Sequence, residues 1–472
     1  MKKDMSYAGV MARKSEILQG SLGIDFAKFE QEHIAFDYEG MMAAVGLTYD
    51  EIAKIQRDVG VGNTPMLELP NITALARKYA KPGFGARIFV KDEAANPSGS
   101  FKDRRAAVAV YMAKKLGFKG VAAATSGNYG AAVASQAAKL GLKCIIAQET
   151  FDSKKIGQPE ILEKTRKCEA FGAEVIQMTV GPELFYKFLT LLEETGYFSA
   201  SLYSPFGIAG VETLGMEIAE QIRAMTGKDP DVIMTTHAGG GNLTGTARGL
   251  IRANCNAQIV AASVNLKGLH MASDTHFNKK SFTTGHTGFG IPFTTFPDRS
   301  DMPRSAARPL RYMDRYVTVN QGEVFYMTQV LASLEGLERG PAGNTSLVAA
   351  FAMAQEMSDD QIIVVQETEY TGAGKHIQSQ LSFARQNGID IKFGNPADEV
   401  CGENIILPSC PSLIAPKDIS MDYLRKSTIK NHLARLPEGA TPTNQDIDFL
   451  AQETRLTNDE VNELLKSEHN KF

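Results

Sequence analysis

The sequence predicts an α/β protein of two lobes, each a mainly parallel sheet flanked by helices, with a cleft between them. Three observations carry that expectation. Apolar strand-like runs alternate with helical stretches of about ten to fifteen residues, the pattern of βαβ units. The alternation comes in two blocks, one ending near Met178 and one starting after Ser201, so two sheets are expected. Several strands give way to helices through turns crowded with Gly, Ser and Asn, and open α/β sheets bind ligands at such junctions.

Residues 1 to about 60 mix polar and apolar positions, with a helix expected over Thr48 to Val59 and stopped by Gly60. Val61-Gly-Asn-Thr-Pro-Met66 is turn punctuation before a short apolar segment, Met66 to Leu69. The first block then reads as strand Ile88–Lys91, helix Asp103–Leu116, strand Gly120–Ala124 and an alanine-rich helix Tyr129–Leu140. Strand Cys144–Ala147, helix Pro159–Phe171 and strand Glu174–Met178 complete it. The second block has helix Ile208–Met225, strand Val232–Thr236, helix Leu243–Ala253 and strand Gln258–Val264. A further helix is expected after Asn344 and a strand at Gln361–Gln366. Residues 281–309 interrupt the rhythm as a long Gly/Pro/Thr-rich loop, and loops of that length commonly carry function. Short charged helices, including Thr443–Lys466, are expected at the end. The domain division this suggests is 1–95 with 205–400 as a discontinuous large domain, 96–204 as a small α/β domain, and 401–472 as a C-terminal helical extension.

Composition narrows the function classes. Hydrophobic residues at 43% and charged residues at 22% suit an ordinary soluble chain with a sizeable core. The 54 acids against 50 bases leave no basic excess for a dedicated nucleic-acid binder. Charges interrupt the opening MKKDMSYAGVMARKSEIL, which therefore does not read as a signal peptide. The charge-free stretch Gly120–Ala138 is studded with Ser, Asn and Gln, unlike a membrane span. Five scattered cysteines favour free thiols in a reducing cytoplasm. Secreted, membrane and fibrous classes are disfavoured.

Three segments carry the chemistry. In Asn96-Pro-Ser-Gly-Ser-Phe-Lys-Asp-Arg104, Lys102 stands in a small-residue turn at a helix start, with Ser98 and Ser100 available as caps. The positive end of the helix favours an uncharged amine, the form that condenses with a carbonyl. The plain alternative is a surface lysine beside Asp103 and Arg104. Thr125-Ser-Gly-Asn-Tyr-Gly130 offers amides and hydroxyls at a helix N-terminus, a cradle for a carboxylate; the alternative is an ordinary strand-to-helix turn. His237-Ala-Gly-Gly-Gly-Asn-Leu-Thr-Gly245 lets backbone amides approach a phosphate. It fails as a dinucleotide fingerprint, because Thr244 replaces the third glycine and Asn265 is no acidic ribose ligand. It fails as a nucleotide P-loop, because no Gly-Lys-Ser/Thr follows. A reactive lysine, a carboxylate cradle and a cup for one monophosphate call for a phosphorylated aldehyde, with pyridoxal 5′-phosphate the candidate cofactor.

Pro97-Ser-Gly-Ser-Phe-Lys-Asp-Arg104 resembles the cofactor-lysine motif of fold-type II pyridoxal-phosphate enzymes, the tryptophan synthase β-subunit, threonine synthase and cysteine synthase group. Gly62-Asn-Thr-Pro65, Ser126-Gly-Asn128, Gly239-Gly-Gly-Asn242 and Thr371-Gly-Ala-Gly374 follow in that family's order, and the likeness covers about residues 60–380. The resemblance implies that Lys102 carries the cofactor covalently and moves the substrate proton. It implies that Asn128 bonds the cofactor's 3′-oxygen. Gly239, Gly240, Gly241, Asn242 and Leu243 form the phosphate loop, and Thr371 faces the pyridine nitrogen. Thr125, Ser126 and Tyr129 hold the substrate carboxylate, and no metal is called for. Gln366-Glu-Thr-Glu-Tyr370 departs from the family by setting Glu367 and Glu369 near that ring nitrogen.

Within the family the whole chain is most similar to β-subunits of two-subunit thiolases, which cleave a 2-amino-4-oxo acid with coenzyme A to acetyl-CoA and D-alanine. That likeness implies a small α-subunit, coenzyme A and an amino acid as partners, and an oligomer. No cysteine lies in a cofactor motif, so direct attack by coenzyme A and a relay from the partner both stay open. Arg304, Arg308 and Arg311 are candidates for coenzyme A phosphates, although a solvated arginine-rich loop is the preferred reading. His270, His276 and His286 lack metal-ligand spacing and are expected in structural or substrate-contact roles. Two rivals remain. One is a threonine-synthase-like or ammonia-lyase enzyme, which would release phosphate or ammonia. The other is a non-catalytic scaffold, against which the intact Lys102 constellation speaks.

Overall fold

Strands rich in β-branched residues build two main sheets. In chain order they are β1 (Met66–Glu68), β2 (Arg87–Asp92), β3 (Gly120–Thr125), β4 (Lys143–Phe151), β5 (Glu174–Thr179), β6 (Phe198–Ser199), β7 (Val232–Thr236), β8 (Gln258–Val264), β9 (Arg315–Val319), β10 (Ile362–Glu367), β11 (Asp390–Gly394), β12 (Asn404–Pro408) and β13 (Lys417–Ile419). The computed structural model describes residues 3–298, 302–370 and 377–469. The larger sheet runs β1-β2-β10-β7-β8-β9-β13 and the smaller β5-β4-β3-β6, while β11 and β12 form a parallel pair. The smaller sheet is parallel throughout. In the larger sheet β1 and β13 run antiparallel at the two edges. The central strand β10, IIVVQE, is buried along its whole length, as expected where helices cover both faces of a parallel sheet. The two-lobed α/β expectation is met.

Close backbone packing sets the helices that frame the cleft. Helix Pro205–Thr226 crosses both helix Gly241–Arg252 and helix Lys102–Lys115. A Cβ on Gly215 would lie 2.1 Å from the Thr246 carbonyl oxygen, one on Gly249 2.0 Å from that of Glu212, and one on Gly210 2.2 Å from that of Arg104. Glycine therefore permits the three helix backbones to touch. Gln56 clamps the contact, its Nε2 donating to the Arg104 carbonyl at 3.0 Å and the Gly210 carbonyl at 2.6 Å.

The first sixty residues, expected in the large domain, pack against both lobes, with Phe206, Ile208 and Ala306 as well as the small sheet. Val10, Leu18, Phe26, Met41 and Ile52 share one buried cluster with Val121, Ile146 and Phe198 of the small sheet. The expected helical extension from 401 opens instead with β12 and β13, the latter extending the large sheet, and helices begin at Met421. The single helix expected over Thr443–Lys466 is two, Asn444–Thr454 and Asn458–His469, because Arg455 between them adopts a left-handed φ of 54°. Helices Glu183–Thr195 and Gln321–Glu335 were not foreseen. No described helix is long and apolar enough to cross a membrane, and the five cysteines are free.

Candidate active site

The three sequence segments meet in one cleft. Lys102, Thr125, Ser126, Asn128, Tyr129, Gly239, Gly240, Gly241 and Asn242 all line it. Leu243 does not: its side chain is fully buried in the core, so the cleft can use only its backbone.

Lys102 is the first residue of its helix, and the residues beside it are anchors rather than solvent-facing charges. Asp103 is buried, accepting from the Ser98 amide at 2.6 Å and from Gln136 Nε2 at 3.1 Å. Arg104 is buried too, bonding Glu93 through Nε at 2.7 Å and Nη2 at 2.8 Å, and Glu217 through Nη2 at 2.7 Å. Gripped on both sides, the helix start holds the Lys102 Nζ over the Phe101 ring, 4.5 Å from its centroid. The surface-lysine alternative fails. Burial first, then the neighbouring cations Arg105 and Lys164, holds the amine well below the ordinary lysine range. Ser98 and Ser100 do not cap the helix; both hydroxyls are buried without a hydrogen-bond partner. Residues 99–101 instead pair with the chain at 368–370, through Phe101 N to the Thr368 carbonyl and Tyr370 N to the Gly99 carbonyl.

The triple glycine is a tight cup at the start of helix Gly241–Arg252. Gly240 has a φ of 81°, and a Cβ there would lie 2.4 Å from the Pro309 ring. A Cβ on Gly239 would strike the Tyr203 hydroxyl oxygen at 2.5 Å, and one on Gly241 the Arg105 Nη2 at 2.5 Å. Asn242 is tied down, its Nδ2 donating to Gln366 Oε1 at 2.6 Å. Arg105 is 2% exposed, its Nη1 donates to the Leu202 carbonyl at 2.9 Å, and its Nε has no partner. Among the described residues it forms no ion pair, and burial brings its pKa down to about 10. Sequence reasoning missed Arg105, although it stands three residues after Lys102 on one helix and so on the same side.

In the carboxylate turn the Thr125 hydroxyl oxygen accepts from the amides of Gly127 at 2.9 Å and Gly130 at 3.2 Å, which fixes the turn. Tyr129 is buried, its hydroxyl 3.4 Å from the Ser201 carbonyl. The long loop closes the cleft on another side with Thr284, His286, Phe289 and Phe293. Phe289 stacks on Phe185 of the small lobe at 6.1 Å, and Phe293 on Tyr203 at 6.1 Å. Of the three histidines, His270 and His286 line the cleft and His276 is exposed. Burial first, then Lys164 and Lys102, lowers His286 to about 3. Among the described residues no group of side chains is arranged to hold a metal.

Arg304 and Arg308 overturn both sequence readings, while Arg311 is only partly buried. Arg304 and Arg308 are 1% exposed, so they are neither solvated nor open to a phosphate. Arg308 bonds Asp298 at 2.7 Å and Glu453 at 2.9 Å, Arg304 pairs with Asp298 and Glu30, and Arg311 with Glu453 at 2.6 Å. Thr371 lies outside the described residues. Glu369 lines the cleft; Glu367 is buried behind it against Gly343, and burial followed by Glu369 and Asp92 pushes its pKa well up.

Residues 58–369 match the family model described as pyridoxal-phosphate dependent enzyme. The chain belongs to this family. It is 71% identical over 99% of both chains to a 2-amino-4-ketopentanoate thiolase beta subunit of Acetoanaerobium sticklandii. It is 62% identical over 99% of both chains to one so named from an unknown prokaryotic organism. A solved pyridoxal 5′-phosphate-dependent aspartate racemase shares the fold, with a TM-score of 0.54 and 19% identity, covering 70% of this chain and 97% of that one.

Pyridoxal 5′-phosphate is accordingly the cofactor of this pyridoxal-phosphate dependent enzyme, and the residues present fit it. The glycine cup lines the cleft with bare backbone at the start of helix Gly241–Arg252, where any Cβ would strike Tyr203, Pro309 or Arg105. The buried guanidinium of Arg105 lacks a counter-charge that a phosphate supplies. Lys102 offers an amine with its charge suppressed.

Proposed function

We propose that this chain is the cofactor-bearing β-subunit of a thiolase that cleaves 2-amino-4-oxopentanoate with coenzyme A. The bond between C3 and C4 breaks, the acetyl group joins the thiol sulfur as acetyl-CoA, and the thiol proton ends on C3, leaving alanine. The supporting observation is 71% identity along nearly the whole of a relative of that name, coupled with a cleft whose lysine and phosphate cup are intact.

In this reading the phosphate is held by the amides of Gly239, Gly240, Gly241, Asn242 and Leu243 and balanced by Arg105. Asn128 meets the ring oxygen, and Thr371 is assigned to the ring nitrogen. Thr125, Ser126 and Tyr129 hold the substrate carboxylate. When bound, the cofactor supplies an electron-withdrawing ring conjugated to the substrate's amino group. Lys102, whose burial holds its pKa well below the ordinary lysine range, takes the proton from the substrate's α-carbon and returns it. The aromatic wall of Phe185, Phe289 and Phe293 keeps water from the reacting carbons. Among the described residues no cysteine lines the cleft, which favours attack by coenzyme A itself or a relay carried by the partner. A small α-subunit, a cytoplasmic setting and a two-lobed domain division, with residues 96–204 as the small domain, complete the proposal.

The test is to mix the purified chain and its partner with 2-amino-4-oxopentanoate and coenzyme A, and to follow thioester formation. Lys102→Ala is expected to reduce the rate by about 10³-fold. In parallel assays, release of ammonia from a hydroxyamino acid, or of phosphate from a phosphorylated amino acid, without coenzyme A consumption would favour the lyase or synthase rival.

A further inference from the structure

Two acids line the described cleft, and they differ. Glu369 packs against Gly340. Glu149 stands on β4, where pairing with β5 slips between Glu149 and Phe151. It is 4% exposed, and its Oε1 accepts one long bond from the Gly181 amide at 3.3 Å. Among the described residues no cation pairs with it. Its cleft neighbours include Leu184, Phe185 and Phe289, the last two stacked face to face. An ionised carboxylate in that corner would be strongly disfavoured, and burial pushes the Glu149 pKa well up. A protonated carboxyl is a hydrogen-bond donor as well as an acceptor.

The position suits a substrate contact. Strands β3 and β4 pair with Thr125 opposite Gln148, so Glu149 stands on the adjacent strand one position past the level of Thr125, where the turn begins. Neighbouring strands lie about 4.8 Å apart, a distance a short amino-acid side chain spans.

We propose that Glu149 donates a hydrogen bond to the C4 carbonyl oxygen of the bound amino acid and selects substrates that carry that oxo group. This rests on the thiolase reading above. The terminal methyl group then lies against Leu184, Phe185 and Phe289. As the sulfur–carbon bond forms at C4, the carbonyl electron pair shifts to the oxygen and the hydrogen bond strengthens. Collapse returns the pair and breaks the bond to C3. A neutral acid in an apolar site stabilises such an oxyanion without introducing a competing charge.

The experiment titrates the holoenzyme complex with 2-amino-4-oxopentanoate and with 2-aminopentanoate, which lacks the oxygen, reading the cofactor absorbance. Wild type is expected to prefer the oxo acid by about tenfold or more, the worth of one good hydrogen bond. Glu149→Gln, whose amide still donates, keeps that preference within about threefold. Glu149→Leu brings the two ligands to near parity, while 2-aminopentanoate affinity and cofactor content stay at the wild-type level. A Leu variant that retains the preference overturns the assignment of Glu149. So does one that loses both ligands together, since Glu149 would then only support the site. A wild type with no preference also overturns the assignment, whereas failure of the wild-type complex to form a thioester from 2-amino-4-oxopentanoate and coenzyme A overturns the thiolase reading.

Discussion

Arg105 and Arg308 are both arginines shut away from water, and they differ in what faces them. Arg308 is matched by Asp298 and Glu453. Arg105 meets a backbone carbonyl, the Phe101 ring at 5.4 Å and the glycine cup. Arg308 is matched within the scaffold, whereas Arg105 is the unmatched charge to which the proposal above assigns the phosphate. The scaffold still serves the site, because the cluster of Arg304, Arg308, Asp298 and Glu453 pins the loop that brings His286, Phe289 and Phe293 to the cleft.

The largest effect should come from the matched cluster. Asp298 faces Arg304, Arg308 and Arg435, and the three hold its carboxyl far below the usual range despite burial. Asp298→Ala is expected to destabilise the fold by about 3–5 kcal/mol, read by denaturant titration, because it strands buried cations. A neutral result would erase the distinction between the two arginines.

Next comes the unmatched charge. Arg105→Met is expected to weaken pyridoxal phosphate binding by about tenfold to a hundredfold, the range for a charge-assisted hydrogen bond. Affinity for pyridoxal, which lacks the phosphate, should hardly change, and the cofactor-free variant should be as stable as wild type or more so. Equal losses for the two ligands would show that Arg105 does not read the phosphate.

The smallest effect concerns the anchor of the lysine helix. Burial raises the Glu217 pKa, but Arg104 and then Lys91 outweigh it and hold the carboxyl at about 2. Its folded pKa lies below its unfolded one, so its stabilisation is present at neutral pH and lost as pH falls from about 4.5 to about 2. Glu217→Gln should lower the melting temperature at pH 7 and flatten the acid decline across that window.

Much of this was legible before any coordinates. The alternation of strand-like runs with helical stretches announced the sheets because each βα unit carries its own hydrophobic period. Lys102, the Thr125–Tyr129 turn and the glycine cup were legible because each needs a particular residue type at a strand-to-helix junction. Strand β9 and helix Gln321–Glu335 were missed beside the irregular loop, where the rhythm is hardest to follow. The residues flanking Lys102 looked like a charged surface, since Glu93 and Glu217, which bury Arg104, lie on other elements.

Local sequence was sufficient for the fold class and the cofactor, and it singled out Lys102 as the candidate amine. Those depend on backbone periodicity and on turn chemistry that neighbours along the chain supply. Only the folded molecule decided which charges are matched. Glu453 reaches Arg308 from 145 residues away, and Glu149 owes its apolar surroundings to separate helices and loops. Burial and counter-charge are properties of the assembled interior, and no short window of sequence contains them.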